Sequence, residues 1–401
     1  MARALRKNPL SLWERLYLLA HLLTIDLAHL CLNLVTCVGL AALRRIPIRH
    51  YFKVAYNRFA LARLSPREIQ HLSPSTATIY RQWIASTRSA AQSRIHSGRA
   101  TPDDQYILDH LIPNEQVLSD GESSILWVGD RRRASKFVLF FHGGGYIAPM
   151  QDGHLEWCLR SYVLSSSRAR RREGQHVAVA VLQYTLAPEA RYPVQLAQAA
   201  DALAYLLEEL GVRPCDLVIG GDSAGGNLAS QIMSHLLHPH PDAREIALPH
   251  GERIAGVFAV SPWVSARTDD RSMADNALID MLSPGIVEKA NRELLGNHDK
   301  YNAEKKRGYG WAMPADVDTG AWYKGLGKFL ERLYVTVGTQ EVFRDQSVVL
   351  AEGIRRTNPD IDVVLEERWD EAHDFILLEG GRKEDGSATR RMRRWVEGVF
   401  W

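Results

Sequence analysis

The chain has 401 residues, 46% apolar and 24% charged, which supports a large buried core and excludes a disordered or low-complexity protein. Lys and Arg number 49 against 47 Asp and Glu, a formal charge of +2 that leaves no overall basic field to hold a nucleic-acid backbone. The four cysteines, at positions 31, 37, 158 and 215, form neither a paired framework nor a C-x-x-C spacing, which argues against structural zinc and a disulfide scaffold.

The expected organisation is one large domain with an N-terminal appendage: residues 1–43 as an apolar helix, 44–115 as a helical cap region, and 116–401 as an α/β domain with a cap insertion over about 264–328. Between Leu16 and Leu43, Leu, Ile, Val, Ala, Cys and Gly dominate and Asp26 is the one formal charge. That length suffices to cross a bilayer and exceeds the apolar core of a signal peptide, about 7–15 residues, so an uncleaved membrane anchor is expected. The rival readings are an interfacial helix and a soluble cap helix. They rest on a polar stripe in which Glu14, Tyr17, His21 and Thr24, then Asp26, His29, Asn33 and Thr36, recur at helical steps. Basic residues lie on both sides of the segment, Arg3, Arg6, Lys7 and Arg15 before it and Arg44, Arg45, Arg49 and Lys53 after it, so charge assigns no orientation.

From about residue 124, short β-rich runs alternate with helix-length segments: SILWVGD, KFVLFF, HVAVAVLQY, DLVIGG, IAGVFAV, RLYVTVG and IDVVLEE. This alternation predicts a mostly parallel central sheet flanked by helices, with ligands at the carboxyl ends of the strands. The run Arg168, Arg170, Arg171 and Arg172 reads as a solvated loop, with lipid-headgroup contact as the minor alternative.

Three segments carry chemistry. Gly221-Asp222-Ser223-Ala224-Gly225 has the G-x-S-x-G form, weak alone but preceded by an apolar strand and followed by a helical pattern. That context is a strand, a sharp turn and a helix, with glycines where side chains would meet backbone and the Ser223 hydroxyl pushed into the open as a nucleophile. His142-Gly143-Gly144-Gly145-Tyr146 follows the strand KFVLFF. There the N–H groups of Gly144 and Gly145, with that of Ala224, would surround an oxyanion. Neither a G-K-[ST] nor a G-x-G-x-x-G pattern accompanies these glycines, so a phosphate loop is disfavoured.

His373 lies after the last predicted strand, where a base is expected if the chain order is nucleophile, acid, base. The acid is expected from the loop after RLYVTVG, which offers Glu341, nearer the strand end, and Asp345 about one helical turn further on. Glu341 is preferred and Asp345 is the alternative. Asp374, adjoining His373, reads as a loop or cap residue. No metal site and no cofactor is implied.

In combination, HGGGY at 142–146, GDSAGGN at 221–227 and Tyr184-Thr185-Leu186-Ala187-Pro188-Glu189 resemble the hormone-sensitive-lipase branch of the α/β-hydrolases, over roughly residues 120–400. The resemblance implies an α/β-hydrolase fold with a helical cap, and a serine, an acid and a histidine that hydrolyse carboxylic esters without a cofactor. Glu341 stands where that family usually has Asp. The apolar N-terminal segment and Gly153-His154-Leu155-Glu156-Trp157 are similar to fungal members related to steryl acetyl hydrolases and natural-product tailoring hydrolases. A hydrophobic ester, such as a sterol acetate or an acylated natural product, is the expected substrate. The alternatives are a tailoring enzyme that uses the same site for condensation or cyclisation, and a non-catalytic small-molecule binding protein on the same fold.

Overall fold

The computed structural model describes residues 9–165 and 175–401; the arginine run at 168–172 lies outside the described residues. All seven anticipated strands are present, as β2 (Ser124–Val128), β3 (Ala134–Phe141), β4 (His176–Gln183), β5 (Leu217–Asp222), β6 (Gly256–Val260), β7 (Arg332–Gly338) and β8 (Asp362–Arg368). An unforeseen short strand, β1 (Glu115–Val117), precedes them; its three residues, Glu-Gln-Val, carry no apolar alternation to announce it.

The strands form one sheet in the order β1-β2-β4-β3-β5-β6-β7-β8. β1 and β2 pair antiparallel at one edge, and every pairing from β4 to β8 is parallel. Side chains along β3 alternate between two apolar layers: Phe137, Leu139 and Phe141 pack into one, Val138 and Phe140 into the other. Both layers are buried, which is why these strands read as continuous apolar runs. Each fully buried Phe or Leu contributes about 1.5–3 kcal/mol of transfer free energy.

Six helices precede the sheet: α1 (Leu12–Leu23), α2 (Ile25–Leu43), α3 (Ile48–Arg63), α4 (Pro66–Leu72), α5 (Thr76–His96) and α6 (Pro102–His110). Among the strands and after them come α7 (Asp152–Cys158), α8 (Val194–Ala204), α9 (Ala224–Leu237), α10 (Arg271–Asn276), α11 (Pro284–Leu295), α12 (Asp299–Lys306), α13 (Thr319–Trp322), α14 (Arg344–Thr357), α15 (Phe375–Gly381) and α16 (Ser387–Phe400). Residues of α8, α9 and α14 fill the layer of Leu139, whereas α5, α7 and α16 fill the layer of Phe140.

The N-terminal stretch expected as one helix is two. The chain breaks at Thr24, whose φ of −123° and ψ of −93° leave the helical region and whose hydroxyl donates to the Ala20 carbonyl at 2.8 Å. α1 starts with a capping box in which Ser11 and Glu14 bond each other's backbone N–H groups. Among the described residues, α2 alone is long and apolar enough to cross a membrane, with a mean hydropathy of 1.7. It also packs on the body: Asp26 is buried and pairs with Arg63 of α3 at 3.0 Å, and Cys37 and Ala41 are fully buried. Arg44 then reaches Asn276 and Gln340 at 3.0 and 2.6 Å.

The polar stripe of α2 therefore faces the protein. Asp26 is buried and His29, Asn33 and Thr36 half-buried, while Leu27, Leu32 and Val35 are 53%, 62% and 73% exposed. This inverts the arrangement of an ordinary surface helix.

Candidate active site

Ser223 joins β5 to α9 with a φ of 52° and ψ of −115°, outside the comfortable region for a residue with a Cβ. The turn closes this tightly because Gly221 and Gly225 press on β3: a Cβ at either would lie 2.2 or 1.9 Å from the Phe141 carbonyl oxygen. That contact is the physical reason for glycine at both flanks of the serine.

The structure brings Ser223, His373 and Glu341 together. His373 Nε2 is 2.8 Å from Ser223 Oγ, and its Nδ1 is 2.9 Å from Glu341 Oε2. All three side chains are almost wholly buried. The second Glu341 oxygen accepts from Ser261 Oγ at 2.9 Å and from the Gly338 N–H, so the carboxylate is fixed in orientation. Burial disfavours the charged imidazole, but the hydrogen bond and negative charge of Glu341, with the charges of Asp280 and Asp222, outweigh it and hold His373 above its ordinary value. Asp345 is engaged elsewhere, accepting from the Ser272 N–H at 2.8 Å and pairing with Arg344 at 2.8 Å.

The glycine loop after β3 bends through positive φ at Gly144 (113°), Gly145 (61°) and Tyr146 (59°). Gly144 and Gly145 line the same cavity as Ser223 and His373. Ala224 is the first residue of α9, so its N–H is one of the four donors that the helix leaves unpaired. These are the donors that an oxyanion beside Ser223 would need.

Beneath the loop lies a buried network that sequence reasoning passed over, although each member stands in or beside a quoted motif. Asp222 Oδ2 accepts from the Gly143 N–H at 3.0 Å and lies 3.1 Å from His154 Nε2. Burial raises the Asp222 carboxyl, but the charge and hydrogen bond of His154 win and hold it below the usual carboxylate range. Asp374, expected as a loop or cap residue, does precede α15, at a φ of 59°, yet it is buried beside Asp222. Burial and that neighbouring charge push its carboxyl well above the usual range. His154, Asp222 and Asp374 hold metal-ligand atoms within 4.8 Å of one another, but Asp222 Oδ2 is already occupied by the Gly143 N–H and His154.

The remaining motif residues tie the site to the fold. Tyr184 donates to the His142 carbonyl at 2.7 Å, Tyr146 to Asn227 Oδ1 at 2.7 Å, and Asn227 Nδ2 to the Ala312 carbonyl at 2.9 Å. The glycine loop, the Tyr184 loop and the start of α9 are thus mutually bonded, which is why these distant motifs occur together.

Above Ser223 is a cavity of ≈570 Å³. Its walls come from α3 and α5, which lie within 44–115, and from α11, which lies within 264–328. Leu61, Trp83, Ile286, Val287, Trp263 and Phe343 make much of the lining apolar, with Lys53, Gln82 and Gln151 among the polar groups.

A model of the alpha/beta hydrolase fold family matches residues 138–377, which hold Ser223, Glu341, His373 and the glycine loop. The chain is 25% identical over 263 residues to an acetyl-hydrolase of Streptomyces hygroscopicus, a match spanning 65% of this chain and 74% of that one. It is 28% identical over 207 residues to an arylacetamide deacetylase of Oryctolagus cuniculus, which covers 44% of this chain and about half (49%) of the deacetylase. Among solved structures, an esterase of the bacterial hormone-sensitive-lipase family superposes with a TM-score of 0.56 at 21% identity, over 80% of this chain and 97% of its own. Carboxyl esterase 2 of Tuber melanosporum superposes with a TM-score of 0.55 at 19% identity, over 72% and 86%. With the elbow at Ser223, the glycine loop after β3 and the sheet order all in place, the chain belongs to the alpha/beta hydrolase fold family.

Proposed function

We propose that this carboxylic ester hydrolase works through an acyl-enzyme on Ser223, with His373 as base and Glu341 as acid, on an uncharged apolar ester. The observation that carries the reading is the unbroken line from Ser223 Oγ through His373 to Glu341, at 2.8 and 2.9 Å. His373 takes the hydroxyl proton as Ser223 attacks the ester carbonyl, and Gly144, Gly145 and Ala224 donate to the oxygen that becomes negative. Collapse expels the alcohol, which receives the proton from His373; water then repeats the sequence and frees the acid. Glu341 keeps the Nδ1–H tautomer and offsets the charge on the imidazolium.

The apolar lining supports a hydrophobic alcohol such as a sterol or a cyclic natural product. The names of the two curated relatives support an acetyl or similarly short acyl group. Fluorophosphonate labelling of the purified chain, read by intact mass, tests the nucleophile without a guessed substrate. One adduct on Ser223, lost in Ser223→Ala and His373→Ala, is expected; a folded, unlabelled wild type would overturn the reading. A panel of sterol and natural-product acetates would then rank alcohols.

We further infer that α1 and α2 attach the enzyme to a membrane, and that α2 lies along the leaflet. The bare apolar face of α2 supports attachment, and the pairing of the buried Asp26 with Arg63, together with the Arg44 bonds, supports the lying orientation, since crossing would break them. Liposome flotation of the full chain tests this: binding lost in Leu27→Asp/Val35→Asp is expected. Unchanged flotation, or a wild type that stays soluble, would overturn it.

A further inference from the structure

The segment between β6 and β7 does more than wall the cavity. α10 and the residues after it wrap the loop that carries Glu341: Asn276 Nδ2 donates to the Thr339 and Glu341 carbonyls at 3.0 and 2.9 Å, and Ser272 Oγ to the Val342 carbonyl at 2.7 Å. At the end of this wrap stands Asp280, with no exposed surface. One carboxylate oxygen accepts from the Met281 and His373 N–H groups at 2.7 and 3.2 Å, and the other from the Val342 N–H at 2.8 Å. Among the described residues, no Lys or Arg bonds this carboxylate. A buried, unpaired charge of this kind is costly and is held only by the donors around it.

We propose that Asp280 is a positioning residue for the reaction: its two oxygens clamp the backbone of His373 to the residue after Glu341 and so fix the acid–base hydrogen bond. The proposal rests on the hydrolytic reading above. Two loops from different strands, β7 and β8, must meet within about 3 Å for the Glu341–His373 bond, and small shifts of such groups cost rate steeply. Each loop donates one backbone N–H to Asp280, which makes the spacing between them a property of one side chain.

The groups facing Asp280 are His373 and Glu341 from the loops, Cys37 of α2, and Tyr51 and Arg58 of α3; Arg58 reaches its backbone carbonyl at 2.8 Å. Burial pushes the Asp280 carboxyl up to about 7, opposed by the His373 charge and the Val342 and His373 N–H bonds and reinforced by Glu341. Protonation would replace an acceptor with an O–H and loosen the clamp as pH falls. The same carboxylate charge helps to keep the proton on His373.

The test is Asp280→Asn in the full chain, assayed on p-nitrophenyl acetate over about pH 5 to 9 beside the wild type. Asn keeps the volume and one acceptor but turns an NH₂ toward a backbone N–H. We expect kcat to fall about 10-fold or more with KM within about two-fold, and the acid limb to move to lower pH because the charge is gone. A purely structural contact would reduce the yield of folded enzyme without moving that limb. A folded variant with wild-type kcat and an unmoved limb overturns the proposal. Should the variant not fold, Asp280→Glu decides, since it keeps the charge and both acceptors but sets them one methylene further out: a folded enzyme with kcat lowered several-fold and KM near normal is expected, and wild-type kcat overturns the proposal. Failure of the hydrolytic reading has its own signature, no labelling of Ser223 in the wild type, and would overturn both together.

Discussion

Glu341 Oε2 stands 2.9 Å from His373 Nδ1, while Asp345, four residues on, is turned to Ser272 and Arg344. The difference comes from where each residue sits. Glu341 lies in the turn three residues past the end of β7, its carboxylate against His373, whereas Asp345 is already in the first turn of α14, with its carboxylate drawn toward the α10 backbone.

That relationship predicts opposite outcomes at the two acids. Glu341→Ala should lower kcat by about 10³–10⁴, because the imidazole loses its tautomer and its counter-charge. Asp345→Ala should leave kcat within about three-fold and cost about 1 kcal/mol of stability, the worth of a half-exposed hydrogen-bonded carboxylate. Steady-state kinetics with a thermal melt on each variant would check both; a larger kcat loss at Asp345 would reverse the assignment.

The pH dependence follows from His373. Its proton is held above the ordinary imidazole value, so kcat/KM should rise with pH to a midpoint above that value, as the base becomes neutral. Stability moves the other way. The folded pKa is raised, so the His373–Glu341 attraction contributes fully below the unfolded value and is lost as pH rises through the folded one. Activity should therefore climb across the same window in which this contribution to the melting temperature declines. A flat rate across about pH 5 to 8 would count against His373 as base.

Gly143 gives a sharper geometric test. A Cβ there would lie 2.1 Å from Asp222 Oδ2, so alanine must push the loop off the carboxylate that receives its N–H at 3.0 Å. Because Gly144 and Gly145 follow in the same loop, Gly143→Ala should lower kcat by about 10²-fold or more. The variant should still fold, and slow fluorophosphonate labelling with a near-normal melt is the expected pair of results.

Asp26→Ala should loosen α2 from α3. Asp26 is buried while Arg63 is 36% exposed, so solvent screening limits the loss to about 1 kcal/mol. Faster proteolysis in α1 and α2, with unchanged turnover of a soluble ester, is the expected outcome. Turnover lost in parallel would show that α2 supports the acid loop, through the Arg44–Gln340 bond at 2.6 Å.

Local sequence determined much of this protein. Apolar runs such as KFVLFF and DLVIG became strands because a sheet buried on both faces needs no polar alternation. Ser223 was legible because only glycine fits where Gly221 and Gly225 meet the Phe141 carbonyl. The tertiary structure alone decided what depends on distant partners. β1 exists because β2 offers it an edge, and α2 hides its polar side because Arg63 awaits Asp26. Asp280 carries no local signal at all, since the backbone donors that give it meaning lie 62 and 93 residues further along the chain. Periodicity and turn chemistry act over a few residues and survive in the sequence; the pairing of buried polar groups is settled only when the strands bring their loops to one end of the sheet.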